Sequence, residues 1–258
     1  MSAPLPSDRA VVLLPTYNSG ERLASTLREV LAFHRPVVLI ADACTDDSIL
    51  QLEEIPGCGE SWFLLEHTVN KGKGAAVLTG LDWAHTNGFC QAIVMDADGQ
   101  HPADRIPEFL EAAGYREDIM ILGVPMFDSD APLERVQGRK IGNWFAQLET
   151  WWGGIGDSLF GFRLLPVEPT RKIMHSIRTA RRFDFDTELA VRLCWAGIHP
   201  LNRKVPVKYP PLTQGGVSHF HYLRDNLLLI ATHTRLILGM LCRIPLLCHL
   251  RFGRPAPH

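Results

Sequence analysis

The chain has 258 residues, 46% of them hydrophobic and 21% charged, the proportions of an ordinary globular protein with one substantial core and not of a disordered or fibrous one. Its 26 Lys and Arg against 28 Asp and Glu leave a net charge of −2, so no global field exists to hold a polyanion: no nucleic-acid partner is expected, and any anionic ligand must be held locally. Six cysteines without a CxxC pair are too sparse for a disulfide scaffold, and Met1 to Arg9 lacks the basic-then-apolar order of a secretory signal, which points to reduced thiols and a cytoplasmic location.

Arg9 to Pro15 is a short apolar run stopped by proline, as expected of a strand buried on both faces. Beyond Ser19, placed as an N-cap, the apolar residues Leu23, Leu27, Val30 and Leu31 recur at helical spacing. Pro36 to Ala41 reads as a second buried strand ending at Asp42, and Ser48 to Ile55 as a short helix closed by Pro56-Gly57. Ser61 to Glu66 fits a third strand, Gly74 to Thr86 a helix, and Ala92 to Met95 a fourth strand running into Asp96-Ala97-Asp98. The alternation predicts an α/β fold, Rossmann-like, with a mostly parallel sheet and helices on both faces. After the apolar run Ile119 to Gly123 comes a helical stretch near Gly138 to Trp152, then a glycine-rich turn, Gly153 to Gly156, leading to Asp157-Ser158. No linker or repeat interrupts this pattern. One domain over 1–224 is expected, with an apolar, basic helical appendage over 225–258.

Parallel strands place their carboxyl ends on one edge, where ligands collect in open α/β sheets. Pro15-Thr16-Tyr17-Asn18, Asp42 and Asp96-Ala97-Asp98 therefore converge on one rim from three parts of the sequence. Two carboxylates two residues apart at a strand end can both reach one hard cation. Oxygen-only ligation of this kind suits Mg2+ or Mn2+, with diphosphate oxygens in the open positions. The alternative is a pair that merely caps the following turn. Asn70-Lys71-Gly72-Lys73-Gly74 precedes a helix, its glycines permitting close backbone approach and its lysines suited to phosphate. It lacks the GxxxxGK[ST] spacing of an ATPase loop, and no GxGxxG follows the first strand, so neither an ATPase nor a dinucleotide oxidoreductase is indicated.

These motifs, followed by Asp157-Ser-Leu-Phe-Gly-Phe-Arg163, Phe183-Asp-Phe-Asp-Thr-Glu188 and Val205-Pro-Val-Lys-Tyr209, occur in the order and approximate spacing of family 2 glycosyltransferases. The chain most resembles the dolichyl- and polyprenyl-phosphate sugar synthase branch, from about Ala10 to about Asp225. The resemblance implies a GT-A fold, a nucleotide-diphospho-sugar donor and inversion at the anomeric carbon. By the same resemblance, Pro15 and Tyr17 line the base pocket within Pro15 to Asn18, and Asp42 contacts base or ribose. Lys71, Gly72 and Lys73 belong to the donor site, Asp96, Ala97 and Asp98 serve metal and donor, and Gln100 lies beside the sugar diphosphate. Arg139 and Arg163 are the candidates for the acceptor or leaving phosphate, while Arg135, Arg171, Arg181 and Arg182 read as solvated surface charges. Two departures stand out: the second strand ends in Ala41-Asp42 where the family commonly has two acidic or amide positions, and Pro210 to Gln214 stands where some relatives carry an arginine, with His219, His221 or Arg224 as replacements.

A lipid phosphate acceptor is already an oxyanion at neutral pH and needs no protein base. A hydroxyl acceptor needs one, and Asp184 or Asp186 is placed to supply it, unless Asp186 caps the helix Thr187 to Cys194 with Glu188 completing the cap. A catalytically idle nucleotide-sugar-binding subunit of a lipid-modifying complex is the competing class. Beyond Asp225 no acidic residue remains, whereas Arg235, Arg243, Arg251 and Arg254 do, amid leucine-rich sequence too interrupted to span a bilayer. Such a segment suits a helix lying on the inner face of the membrane, where a lipid acceptor is presented. The alternative is packing on the catalytic domain or on a second subunit as a homodimer.

Overall fold

Strand β1 (Ala10–Thr16) is apolar along its whole length because both of its faces are covered. Val11 and Leu13 point into one core layer and Ala10, Val12 and Leu14 into the other, the period-2 alternation of a central strand. The computed structural model describes residues 9–114, 116–126, 133–177, 184–207, 222–245 and 247–248, with the side chains of 133–136 and 222–226 outside that description. Within them β1 is joined by β2 (Val37–Asp42), β3 (Trp62–His67), β4 (Gln91–Val94), β5 (Ile119–Met126), β6 (Arg163–Pro166) and β7 (His199–Pro206) in one sheet of order β3-β2-β1-β4-β6-β5-β7.

Helices α1 (Arg22–Phe33) and α3 (Ile106–Ala113) cover one face of this sheet. The other face is covered by α2 (Lys73–Thr86), α4 (Leu133–Glu149), α5 (Val167–Ser176), α6 (Phe185–Trp195) and α7 (Tyr222–Leu241). The chain winds outward from β1 through β2 to β3, then returns to place β4 on the opposite side of β1. That reversal opens a crevice at the carboxyl ends of β1 and β4, the position at which ligands bind in such sheets. All pairings are parallel except those of β6, which runs antiparallel to both β4 and β5. Its start, with Arg163 opposite Val94, consequently lies at the same edge as the ends of β1, β2 and β4.

Several expected boundaries are corrected. Ser19 does not cap α1: its hydroxyl lies 2.8 Å from Thr16 Oγ1, and the helix begins after Glu21, which makes no side-chain cap bond. Gly20 N–H is instead bound by Asp46 Oδ2 at 3.0 Å. Only one 3-10 turn, Leu50–Leu52, forms in the stretch read as a helix from Ser48, because Pro56 and Gly57, the latter at φ +91, turn the chain immediately after it. Helix α4 starts before Gly138 and ends at Glu149, where Trp151 and Trp152 adopt positive φ. Asp186 is not an N-cap, since α6 begins at Phe185 and carries Asp186 in its first turn. Helix α7 begins at Tyr222, so a boundary after residue 224 falls inside it; its Leu236 and Met240, with Leu247 beyond, are part of the main core. Tyr209, Arg181, Arg182, His219, His221, Arg251 and Arg254, and the side chains of Arg135 and Arg224, lie outside the described residues.

Gly123 in β5 is fixed by packing. A Cβ there would lie 2.7 Å from a ring carbon of Phe160 and 2.8 Å from the Phe162 carbonyl oxygen, to which Gly123 N–H donates on its own edge of the sheet. Gly123→Ala is expected to destabilise the protein by about 1–3 kcal/mol through overpacking, read as a fall in denaturation midpoint at constant m value.

Candidate active site

Asp42 ends β2 pointing inward. Its Oδ1 accepts from His67 Nδ1 at 2.7 Å and from Lys71 N–H at 2.9 Å, and its Oδ2 accepts from Gly72 N–H at 2.7 Å. Asn70 Nδ2 donates to its carbonyl. With the residue 3% exposed, both carboxylate oxygens serve internal donors. Asp42 thereby clamps the Asn70–Gly74 loop onto the end of the sheet, a role beside the base or ribose contact expected of it. His67, its parallel-register partner on β3, was missed in the sequence, and its Nε2 lies 2.9 Å from Thr79 Oγ1 on α2. On the rim above, Pro15 and Thr16 are buried within β1 and Tyr17 is 37% exposed. Asn18, at φ +50, accepts from Thr45 N–H at 2.8 Å, which ties the β1 loop to the β2 loop.

The clamped loop delivers Lys73 as the first residue of α2. Its Nζ lies 2.5 Å from Asp96 Oδ1, 3.5 Å from Asp186 Oδ2 and 5.9 Å from the centre of the Phe185 ring. Burial alone would lower the lysine, but Asp186 and Asp96 outweigh it and push it up to about 12. Burial likewise opposes ionisation of Asp96, and Lys73, helped by His101 and Arg163, reverses this and holds the carboxyl below its ordinary range. Asp98 differs: burial first, then the neighbouring Asp96 charge, push it up to about 6. Gln100 N–H donates to Asp98 Oδ1 at 2.9 Å, and Ala97 between the two acids is buried. His101 accepts the Asp96 N–H on Nδ1 at 3.0 Å, which places its proton on Nε2, facing Asp96 Oδ2 at 3.8 Å. Burial, with Lys73, Arg139 and Arg163 nearby, pulls His101 down to about 4 and keeps it neutral.

The two arginines separate. Arg163 is 1% exposed and donates from Nε to Phe160 O, from Nη1 to Asp186 O and from Nη2 to Ser158 O, at 2.6–2.7 Å. Its guanidinium is thus turned inward, correcting its assignment as a phosphate contact: it positions the 158–160 loop and the first turn of α6. Asp186, 3% exposed, has its carboxylate between Arg163 and Lys73, an ion-paired setting that does not favour the alternative in which it acts as a general base. Asp184 is also buried, 3.4 Å from Thr232 Oγ1. Arg139, half-buried on α4, donates to Asp157 Oδ1 at 2.8 Å, and Asn143 one turn on donates to Asp157 Oδ2 at 3.0 Å. Arg171 is no free surface charge, pairing with Glu168 and Asp82.

Residues 11–174 match the family model of glycosyl transferase family 2. The chain belongs to that family. This family 2 glycosyltransferase is 25% identical to the undecaprenyl-phosphate mannosyltransferase of Micrococcus luteus over 203 residues, 73% of this chain and 79% of that one. It is 27% identical to the polyprenol monophosphomannose synthase of Mycolicibacterium smegmatis over 196 residues, 72% of each. Among solved structures, a mannosyltransferase from Pyrobaculum calidifontis in complex with GDP-Man and Mn2+ superposes with a TM-score of 0.56 at 17% identity, covering 96% of this chain and 76% of that one, which establishes the GT-A fold.

No group of three or more His, Cys, Asp or Glu side chains suited to a metal ion is present among the described residues. Asp96 and Asp98 fit a divalent ion in a different way. They are two oxygen donors at one strand end, near enough for one charge to raise the other's affinity for a proton, and a cation between them would take the rest of its shell from ligand and water.

Because the folded-state value of Asp98, about 6, stands above its ordinary 3.8, its ionisation costs stability above pH 6 and the cost disappears as pH falls below about 4. Metal-free Asp98→Asn should therefore melt higher than the wild type at pH 8, with the difference shrinking towards pH 4 in a calorimetric series. A gain independent of pH would contradict the assigned cause.

Proposed function

We propose that the chain transfers a hexose from a nucleoside-diphosphate sugar to a polyprenyl phosphate at a membrane surface, with Mg2+ or Mn2+ held by Asp96 and Asp98. The observation that carries this reading is the Lys73, Asp96 and Asp98 cluster at the sheet's switch point. It occurs in a chain whose relatives named for polyprenyl-phosphate mannosyl chemistry match it over nearly three quarters of its length. A divalent ion there neutralises charge building on the departing diphosphate. Lys73 adds a positive charge beside it, and the rim from Pro15 to Asn18, with exposed Lys71 and half-buried Gln100, borders the donor. The acceptor phosphate oxygen bonds to the anomeric carbon on the face opposite the breaking bond to the diphosphate oxygen, which leaves with the electron pair. The acceptor is already ionised, so no side chain takes a proton. Arg139, near enough to His101 to help depress it, is the arginine we assign to acceptor or leaving phosphate.

A hydroxyl acceptor is not favoured, because the carboxylate that would serve as its base, Asp186, is buried against the Arg163 guanidinium. An idle binding subunit is not favoured either, since the lysine and both strand-end acids are retained. No helix among the described residues is long and apolar enough to cross a membrane. Helix α7 nevertheless exposes Leu227, Ile230, Leu238 and Leu241, with no acid beyond Asp225, while Arg235 is turned to Glu188 and Arg243, just past the helix, lies over the Trp195 ring. We assign this face to an anionic lipid surface.

With undecaprenyl phosphate, Mn2+ and a panel of nucleoside-diphosphate hexoses, one donor is expected to give a sugar phospholipid recovered in organic extract. Arg139→Lys should lower kcat/KM by the equivalent of about 1–3 kcal/mol, since charge without the bidentate fork is a poorer phosphate ligand. Equal transfer to the unphosphorylated polyprenol would refute the acceptor. Sedimentation with vesicles containing anionic phospholipid should recover the wild type and much less of a Leu227→Glu, Leu238→Glu double variant. Loss of a dimer in that variant, with lipid binding unchanged, would assign the face to a second copy instead.

A further inference from the structure

The ammonium of Lys73 sits on the carboxylate that the divalent ion needs. Lys73 Nζ is 2.5 Å from Asp96 Oδ1, and Gly161 closes over the pair so tightly that a Cβ there would lie 2.7 Å from both Lys73 Nζ and Asp96 Oδ2. The contact is partly shielded: the Lys73 side chain is 15% exposed and that of Asp96 32%, and Lys73 also lies by the Phe185 ring and Asp186. Asp186 cannot take Lys73 alone, because Arg163 Nη1 already faces its other oxygen at 3.5 Å. Two cations on one carboxylate repel each other, more strongly in a partly buried site of lower effective dielectric than in water, and a divalent ion doubles the repulsion. An ion therefore settles on Asp96 more readily once another anion draws the ammonium off, and the diphosphate of the donor would be that anion.

We propose that Lys73 is a tethered counter-ion that occupies the Asp96 cation seat until a nucleoside diphosphate arrives, so that divalent ion and donor load together. The inference rests on the reading of Asp96 and Asp98 as the ion's ligands. Linkage then makes the effect mutual: nucleotide raises ion affinity by the same factor by which the ion raises nucleotide affinity. Lysine, with a compact charge on a flexible stem, suits a cation that must change partners, and the Asp42 clamp on Lys71 and Gly72 keeps its backbone in place while it does so.

The test is Mn2+ binding by the full chain, followed through the loss of the free-ion electron paramagnetic resonance signal, alone and then with GDP or UDP. In the wild type, Mn2+ alone should bind weakly. Lys73→Met and Lys73→Gln should bind Mn2+ alone roughly tenfold more tightly, within the usual range of coupling between sites, and should show a smaller gain on adding nucleotide. Circular dichroism establishes that each variant is folded, and Lys73→Gln, similar in length and able to donate to Asp96, decides the question if Lys73→Met does not fold. Unchanged or weaker Mn2+ binding in a folded variant overturns the proposal, as does an absence of Mn2+ binding in all proteins. Sugar transfer is read separately: Lys73-dependent Mn2+ binding without transfer would sink the function above and leave this inference standing, whereas transfer with Mn2+ affinity indifferent to Lys73 would do the reverse.

Discussion

An array of two cations and two carboxylates, buried at Arg163 and Asp186 and partly exposed at Lys73 and Asp96, holds the catalytic edge together. Lys73, Asp96, Asp186 and Arg163 come from the first residue of α2, the end of β4, the first turn of α6 and the start of β6. Removing one partner of a buried ion pair commonly costs about 3–5 kcal/mol, so each of these elements is fixed by the others. Helix electrostatics explain the distribution of signs. Asp186 gains from the positive end of α6, whereas Lys73 stands at the positive end of α2, where a cation is disfavoured, and needs two carboxylates to remain there. The reversed strand β6 completes the array: a parallel strand in its place would deliver Arg163 to the opposite edge of the sheet.

Most of the strands and helices were legible because buried strands are short apolar runs and amphipathic helices repeat at 3.6 residues. The direction of β6 was not, since Arg163-Leu-Leu-Pro166 is four residues with the same local pattern either way up. Site residues divide along the same line. Asp96 and Asp98 could be placed from their position at a strand end, but Asp42 carries the identical signal and turned inward. What distinguishes it is His67, opposite it in the β2–β3 register, so reading strand ends in pairs would have raised the structural assignment. Arg163 was misread for a related reason. A motif gives a residue's place in the chain, while its burial depends on carbonyls at Phe160, Ser158 and Asp186 that only the folded loop assembles.

Helix α7 is attached to the catalytic body through the buried side chains of Leu236 and Met240 and through polar contacts made from one turn. Thr232 reaches Asp184, His233 Nδ1 lies 2.7 Å from Glu149 Oε1, and Arg235 pairs with Glu188, which is fully buried and also held by Arg192. Two of these partners, Asp184 and Glu188, flank Asp186 on α6. The helix that exposes leucines therefore grips the same element that supplies the second carboxylate to Lys73. Burial pushes Glu149 above its ordinary range against the pull of His233, and its Oε2 has no hydrogen-bond partner among the described residues. Such directional contacts tolerate little sliding compared with apolar packing. Through Asp184 and Glu188, α7 is thereby joined to the start of α6, which carries the Asp186 partner of Lys73.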